Sequence, residues 1–300
     1  MSILESQLST WANQGATISS AKTYNSIKKC IEGNYWEKDV DFDIYLQGSY
    51  RNTTNIRGDS DVDVVVEFSS VFYSNKYELP QEQLREHKDY YLDGKYSLDV
   101  FKEAVIKRLQ DHYGERFIKV GNKSIKVLAN SGRLDCDVVC CAEYRKYRSF
   151  SKSNITDYTK GIVFWTNENN ERIVNFPKLH FDNGARKNQS SNSNYKSSIR
   201  IIKNMKSKIV SNGAIDSSIA PSYFIECLMY NMSNENFQKS SNYLRVLAIL
   251  NTFNNYSDSE LEDLICQNGQ SHLFGNLDQQ WNKVDYKTFI TELIKLWNEY

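Results

Sequence analysis

Hydrophobic and polar positions change their period partway along the chain. Between residues 18 and 31, Ile18, Ala21, Tyr24, Ile27 and Ile31 recur at steps of three and four, which predicts one helix face. Two strand patterns follow. Over 42–47, Phe42, Ile44 and Leu46 share a face; over 61–66, Val62, Val64 and Val66 share one face while Asp61 and Asp63 take the other. Residues 69–96 are polar and irregular and predict a long loop or insertion. Ser97 is placed to cap a helix to about Tyr113, with Phe101, Val105 and Leu109 at i, i+4, i+8 and Gly114 to end it. Segments on either side of Gly121 and Asn122 predict a hairpin, 133–139 alternates again, and 162–166 is expected to pair with 172–176.

After Pro177 the character shifts. Residues 182–198, rich in Asn, Ser, Lys and Gly, predict a connection between lobes. Beyond them the pattern is helical: Ile199, Ile202, Met205 and Ile209; then Phe224, Leu228 and Met232 after Pro221; then Leu244, Leu247 and Leu250; and finally Phe289, Ile290, Leu293 and Trp297. No internal repeat is visible. The expectation is an α+β protein with a sheet-bearing lobe over 1–180 and a helical lobe over 181–300.

Composition narrows the class. The chain is 40% hydrophobic and 25% charged with three prolines, and no run approaches the roughly 20 apolar residues of a membrane span. Its first residues lack the basic-then-apolar plan of a signal peptide, so a soluble cytoplasmic protein with no membrane partner is expected. Thirty-seven basic residues balance 37 acidic ones. Proteins living on nucleic acid carry a basic excess, so small charged substrates fit better and no obligatory nucleic-acid partner is expected. Six cysteines and four histidines show no Cys-x2-Cys pair and no zinc-finger spacing. Cys136, Cys140 and Cys141 fall in an apolar run, which predicts reduced core thiols and no structural zinc.

The chemistry concentrates between Gly48 and Asp63, a stretch that includes Gly58, Asp59 and Ser60. Gly48 and Ser49, at a strand-to-loop junction, offer backbone donors, a small hydroxyl and no obstruction to a phosphate. Asp61 and Asp63, two apart on one strand face, have Cα atoms roughly 6.5 Å apart. Their carboxylates can converge on a pair of metal ions about 3.5–4 Å apart. Asp137 is placed to complete the set from another strand; Asp135 shares its face and is the alternative. Alternating Asp and Val also suits a half-exposed strand, and any one fragment is common; three carboxylates beside a phosphate-type loop are not.

These residues carry a resemblance. The Gly-Ser, the Asp-x-Asp and the later strand Asp resemble the DNA-polymerase-β-like nucleotidyltransferases. More narrowly, residues 47–52 with 58–66, and Asp137 to Val139 followed by Glu143, Tyr144 and Arg145, look like the bacterial cGAS/DncV-like nucleotidyltransferases. That family makes cyclic oligonucleotides in CBASS antiphage defence. The resemblance implies a polymerase-β-like lobe with a mixed sheet, a C-terminal helical lobe and an active site in the cleft between them. It implies Mg2+, with Mn2+ possible, on Asp61, Asp63 and Asp137, and it favours Asp137 over Asp135. It implies that Lys203 contacts the triphosphate, that Ser222 bonds phosphate and that Tyr223 stacks on the base. It gives Asn175 a uracil contact, as in a pyrimidine-preferring branch; an ordinary asparagine ending a strand before Pro177 is the equal alternative. UTP and ATP are the implied substrates, and a downstream effector protein the implied partner.

The implied reaction is attack of a ribose hydroxyl on the α-phosphate of a second nucleotide with loss of pyrophosphate, repeated to close a ring. Rivals are transfer to an RNA, protein or small-molecule acceptor, a nucleic-acid-activated sensor, and an inactive binding module. Balanced charge and the missing zinc cluster argue against the sensor, and the retained aspartates against the inactive module.

Overall fold

The alternating and helical segments resolve, in a computed structural model, into eleven helices and seven strands; the structure describes all residues except 1, 2, 16, 34, 59, 60, 93 and 278. Asp59 and Ser60 of the motif therefore lie outside the described residues. In chain order come α1 (Glu5–Ala12), α2 (Ile18–Glu32), β1 (Phe42–Leu46), α3 (Gly48–Asn52), β2 (Val62–Ser74), α4 (Gln81–Tyr90) and α5 (Leu98–Tyr113). There follow β3 (Ile118–Val120), β4 (Ile125–Val127), β5 (Cys136–Tyr147), β6 (Tyr158–Trp165) and β7 (Arg172–Asn175). The remainder is helical: α6 (Pro177–Ser190), α7 (Tyr195–Ser211), α8 (Ser222–Tyr230), α9 (Asn242–Asn255), α10 (Asp258–Asp263) and α11 (Lys283–Glu299). They form two compact units, a sheet unit of Thr17–Gln47 and Ser60–Pro177, and a helical unit of Met1–Ala16, Gly48–Asp59 and Lys178–Tyr300.

In the sheet unit, β2 and β5 run parallel at the centre of a mixed sheet. Their cores, Val62, Val64, Val65 and Val66 against Cys136, Val138 and Val139, are buried, as central strands require. β1 lies antiparallel on the outer edge of β2. The other edge of β5 is taken first by β4 at Cys136–Val138 and then by β6 from Ala142 onward, with β3 beyond β4 and β7 beyond β6. α5 presses Phe101 onto Phe68 of β2, rings stacked 4.6 Å apart. Its start is as expected, with the Ser97 hydroxyl accepting from Val100 N. Both expected hairpins form, β3–β4 and β6–β7.

Three expectations change. Residues 69–96 are not an irregular insertion: β2 continues to Ser74 and α4 follows, burying Leu84 and His87. α4 was hidden because only two positions of a charged helix face inward. Residues 182–198 are not a linker either, since α6 and α7 run through most of them. α6 buries His180 and Gly184 rather than an apolar stripe, and a Cβ on Gly184 would lie 2.4 Å from the Gln267 amide. On α2 the buried positions are Ser20, Thr23, Ile27, Cys30 and Ile31, while Ile18 is exposed. Thr23 belongs inside because its hydroxyl accepts from Leu134 N at 3.0 Å.

The helical unit has its own core, built from Ile199, Ile202 and Met205 of α7, Phe224 and Leu228 of α8, Val246 and Ile249 of α9, and Phe289 and Leu293 of α11. On α9 the inward face is Val246, Ile249, Leu250 and Phe253, whereas Leu244 is exposed. All six cysteines are buried free thiols. Among the described residues no helix is long and apolar enough to cross a membrane.

Candidate active site

The parallel register of β2 on β5 sets Asp63 directly beside Asp137 and Val62 beside Cys136. Neighbouring strands lie about 4.8 Å apart and paired residues project from the same face, so the two carboxylates are neighbours. Asp61, two residues before Asp63, joins that face. The Val62 amide donates to Asp135 O at 2.9 Å, which carries the ladder one step further and brings Asp135 alongside. Acidic residues thus gather at the start of the two central strands, while the opposite face is packed with buried Val62, Val64, Cys136 and Val138. The Asp61 and Asp135 side chains remain 40% and 30% exposed.

A lysine completes this face. Lys126 of β4 pairs with Asp137 across the antiparallel ladder and places Nζ 3.1 Å from Asp61 Oδ2 and 3.7 Å from Asp135 Oδ2. Its pKa is raised, first by the hydrogen bond to Asp61 and then, against a desolvation effect, by the charges of Asp61, Asp137 and Asp135. The Ser124 hydroxyl donates to Asp137 Oδ1 at 3.0 Å, and Asp135 Oδ1 accepts from Ala129 N at 2.6 Å. Carboxylates and a hydroxyl are the hard oxygen donors that Mg2+ takes, so the chemistry of the set fits the ion. Among the described residues no group of three or more His, Cys, Asp or Glu side chains is closed around an ion position as it stands. Among the described residues, the Lys126 ammonium is a cation within the cluster.

The Gly-Ser segment belongs to the helical unit. Gly48 adopts φ +64°, a conformation that excludes most side chains, and opens the short α3. The Thr54 amide folds back on Ser49 O at 3.0 Å. Beyond α3 the chain is clamped by a buried carboxylate: Glu226, 3% exposed, accepts from Asn52 Nδ2 at 2.9 Å and Thr54 Oγ1 at 2.5 Å and pairs with His180 Nε2 at 2.8 Å. Burial pushes its pKa up, but the hydrogen bond and charge of His180, the Thr54 hydroxyl and the Lys203 charge outweigh this and hold it below its ordinary value. Arg200 Nη1 adds a hydrogen bond to Thr53 O, where φ is +57°.

The other candidates fall as follows. Lys203, which the resemblance gives a triphosphate contact, is 3% exposed, and its ammonium donates to Thr54 O at 3.0 Å. Ser222 is the exposed first residue of α8. Tyr223 is half-buried, stacked near-parallel on His180 at 4.8 Å and Trp281 at 5.7 Å, and its hydroxyl accepts from Asn268 Nδ2. Asn175 ends β7 opposite Ile162, and its Oδ1 accepts from Phe176 N at 2.8 Å. That bond engages the amide oxygen and leaves the NH2 as the donor group. The structure brings Asp61, Asp63 and Asp137 together, joins Lys203 to the Gly48 segment, and sets Asn175 two strands away from β5.

Lys126, Ser124, Glu226 and His180 were not foreseen. Glu226 carried a legible signal, a single acid inside the apolar run Phe224 to Met229, because a charge buried there must be paired. Lys126 and Ser124 carried none, since their place depends on the register of β4 on β5.

Residues 27–162 match a nucleotidyltransferase domain, and residues 182–298 the cGAS/DncV-like nucleotidyltransferase C-terminal helical domain. The chain is 39% identical over 297 residues to the cyclic UMP-AMP synthase of Rhodothermus marinus, covering 99% of this chain and 98% of that one. It is also 39% identical over 303 residues to the cyclic nucleotide synthase CdnE01 of Staphylococcus haemolyticus, covering 100% of both. The solved structure of the Rhodothermus marinus CdnE c-UMP-AMP synthase with Apcpp and Upnpp superposes with a TM-score of 0.89 at 38% identity, covering 99% of this chain and 97% of that one. A polymerase-β-like sheet unit, a helical unit and relatives matched along almost their whole length lead to one conclusion: the chain belongs to the cGAS/DncV-like nucleotidyltransferases and is an enzyme that makes a cyclic nucleotide.

Proposed function

We propose that this enzyme condenses nucleoside triphosphates, UTP and ATP among them, into a cyclic di- or oligonucleotide messenger that activates an effector protein in cytoplasmic antiphage defence. The observation that carries the reading is the pairing of Asp63 with Asp137, with Asp61 on the same face. In this reading Asp61, Asp63 and Asp137 hold the Mg2+ ions. Ions held there would supply the charge that lowers the pKa of an attacking ribose hydroxyl and steadies a leaving pyrophosphate. Asp137 is preferred to Asp135 because it lies directly beside Asp63 in the ladder. Residues 1–180 carry the chemistry and 181–300 hold nucleotide. Gly48, Ser49 and Ser222 bind phosphate. Lys203 acts on phosphate through the Thr54 carbonyl it holds, or reaches it by turning outward. Tyr223 supports the base.

Asn175 reads the base through its amide NH2. With Oδ1 engaged by Phe176 N, the group left is a donor, which suits uracil O4 and not the N6 amino group of adenine. Guanine O6 would suit it equally, so the size of the ring must supply the rest of the preference. The purified protein incubated with Mg2+ and each labelled NTP, singly and in pairs, tests the proposal. A phosphatase-resistant cyclic product containing uridine, formed without DNA or RNA, is expected. Label found only on an added RNA, protein or small acceptor would overturn it, as would a strict need for nucleic acid.

A further inference from the structure

Lys126 has no part in the chemistry described so far, yet it reaches into the face where that chemistry is placed. Its backbone is fixed by the β4 register opposite Asp137, and its Nζ bridges Asp61 Oδ2 and Asp135 Oδ2 at 3.1 and 3.7 Å. Carboxylates on adjacent strands repel one another unless a cation stands between them. The ammonium supplies that charge. We propose that Lys126 is a resident counter-cation of this face, bound to Asp61 and Asp135 in the metal-free enzyme and displaced when the metal enters, so that it sets the affinity for the ion.

Three features suit it to leaving. A lysine carries a point charge on a flexible four-carbon arm, without the two-pronged grip of a guanidinium. Its side chain is 35% exposed, so the ammonium can return to water without crossing a buried region. Mg2+ also sits closer to its oxygens, at about 2.0–2.1 Å, than an ammonium does. An ion on Asp61 would therefore face a like charge within contact distance unless the lysine moved. Metal binding must break the Lys126–Asp61 pair, and the apparent affinity falls by the fraction of molecules in which the face is open. An exposed ion pair of this kind is worth up to about a fivefold factor, and the second carboxylate and the lost repulsion widen the range to roughly three- to tenfold.

The proposal rests on the metal reading above, and its test separates the two. Mn2+ binding to the nucleotide-free protein is measured by calorimetry or electron paramagnetic resonance, for wild type, Lys126→Met, Lys126→Arg and Asp61→Asn/Asp63→Asn. Lys126→Met should bind Mn2+ roughly three- to tenfold more tightly. It should also unfold at a lower temperature than wild type without metal and recover most of the difference at saturating Mn2+. Lys126→Arg should bind no more tightly than wild type. Should the Met variant fail to fold, Lys126→Gln, which keeps a polar donor, gives the same comparison. Unchanged or weaker Mn2+ binding by the neutral variants, with wild type binding through Asp61 and Asp63, overturns the counter-cation role alone. No binding by any variant, or binding indifferent to Asp61→Asn/Asp63→Asn, overturns the metal reading and with it the proposal.

Discussion

The sheet unit and the helical unit treat carboxylates in opposite ways. At the start of β2 and β5, Asp61 and Asp135 are left 40% and 30% exposed and share the Lys126 ammonium. In the helical unit Glu226 is 3% exposed and accepts from an amide, a hydroxyl and an imidazole. A buried carboxylate with saturated oxygens has nothing left to offer a ligand and everything to lose if a partner goes. A half-exposed carboxylate held by an exchangeable cation contributes little to stability but can change partners. In the reading proposed above, the contrast separates a group kept for holding the chain from a group kept for chemistry.

The largest effect expected from breaking this contrast is on catalysis. Asp61→Asn with Asp63→Asn removes charge and almost no volume, so turnover should fall by about 10³-fold or more while the unfolding temperature barely moves. Normal product formation by the folded double variant would remove these residues from the site. Glu226→Gln should do the reverse in kind. It places an amide where Asn52, Thr54 and His180 need acceptors, and denaturant unfolding should show a loss of about 2–4 kcal/mol. Activity should fall only as far as the Gly48 segment loosens. A variant as stable as wild type would show that Glu226 is not the clamp.

This difference was only half legible in the sequence. Period-two alternation placed Asp61 and Asp63 on one face, because strand pleating is local. The residues alone leave Asp135 and Asp137 open, with only the resemblance favouring Asp137. Setting Asp137 beside Asp63 needs the register of β2 on β5, strands distant in sequence, and finding Lys126 needs the register of β4 on β5; both are set only on folding. α4 and α6 escaped because they bury His87, His180 and Gly184 where a helix usually shows leucines. Lys203 falls on α7 as the periodicity predicts, but a lysine's usual exposure gives no hint that a carbonyl waits for it inside.

Acid should separate the two units in order. Burial, then Lys76 and Arg145, lower the pKa of His87 in α4 from its ordinary 6.5 to about 4. A depressed histidine binds fewer protons folded than unfolded, so its contribution is complete above 6.5 and is lost as pH falls toward 4. Glu226, depressed below 4.5, keeps its contribution through that window and loses it only lower. Hydrogen exchange corrected for intrinsic rate should show α4 losing protection between pH 6.5 and 4.5 while α8 holds. His87→Leu should flatten the α4 response. If α8 opened first, the buried carboxylate would be the weaker of the two.

The smallest expected effect comes from Asn175, which combines both conditions in one amide. Its oxygen is committed to Phe176 N at 2.8 Å, as the oxygens of Glu226 are committed, while in the reading proposed above its NH2 is the group offered to a base. Asn175→Ser keeps a group able to cap the Phe176 amide but shortens the reach toward a base. The loss should therefore be confined to recognition and leave stability within about 0.5 kcal/mol. A base whose carbonyl is left without its donor forfeits about 1–2 kcal/mol, or roughly five- to thirtyfold in kcat/KM. Adenine, which presents an amino group at that position, has no such bond to lose. With four equimolar NTPs, the variant should incorporate less uridine relative to adenosine while total turnover with ATP alone stays near wild type. An equal fall for both bases would make Asn175 a residue of the strand end, holding Phe176 and nothing more. Loss of guanosine alongside uridine would instead show that the NH2 reads a carbonyl and that ring size plays little part in the choice.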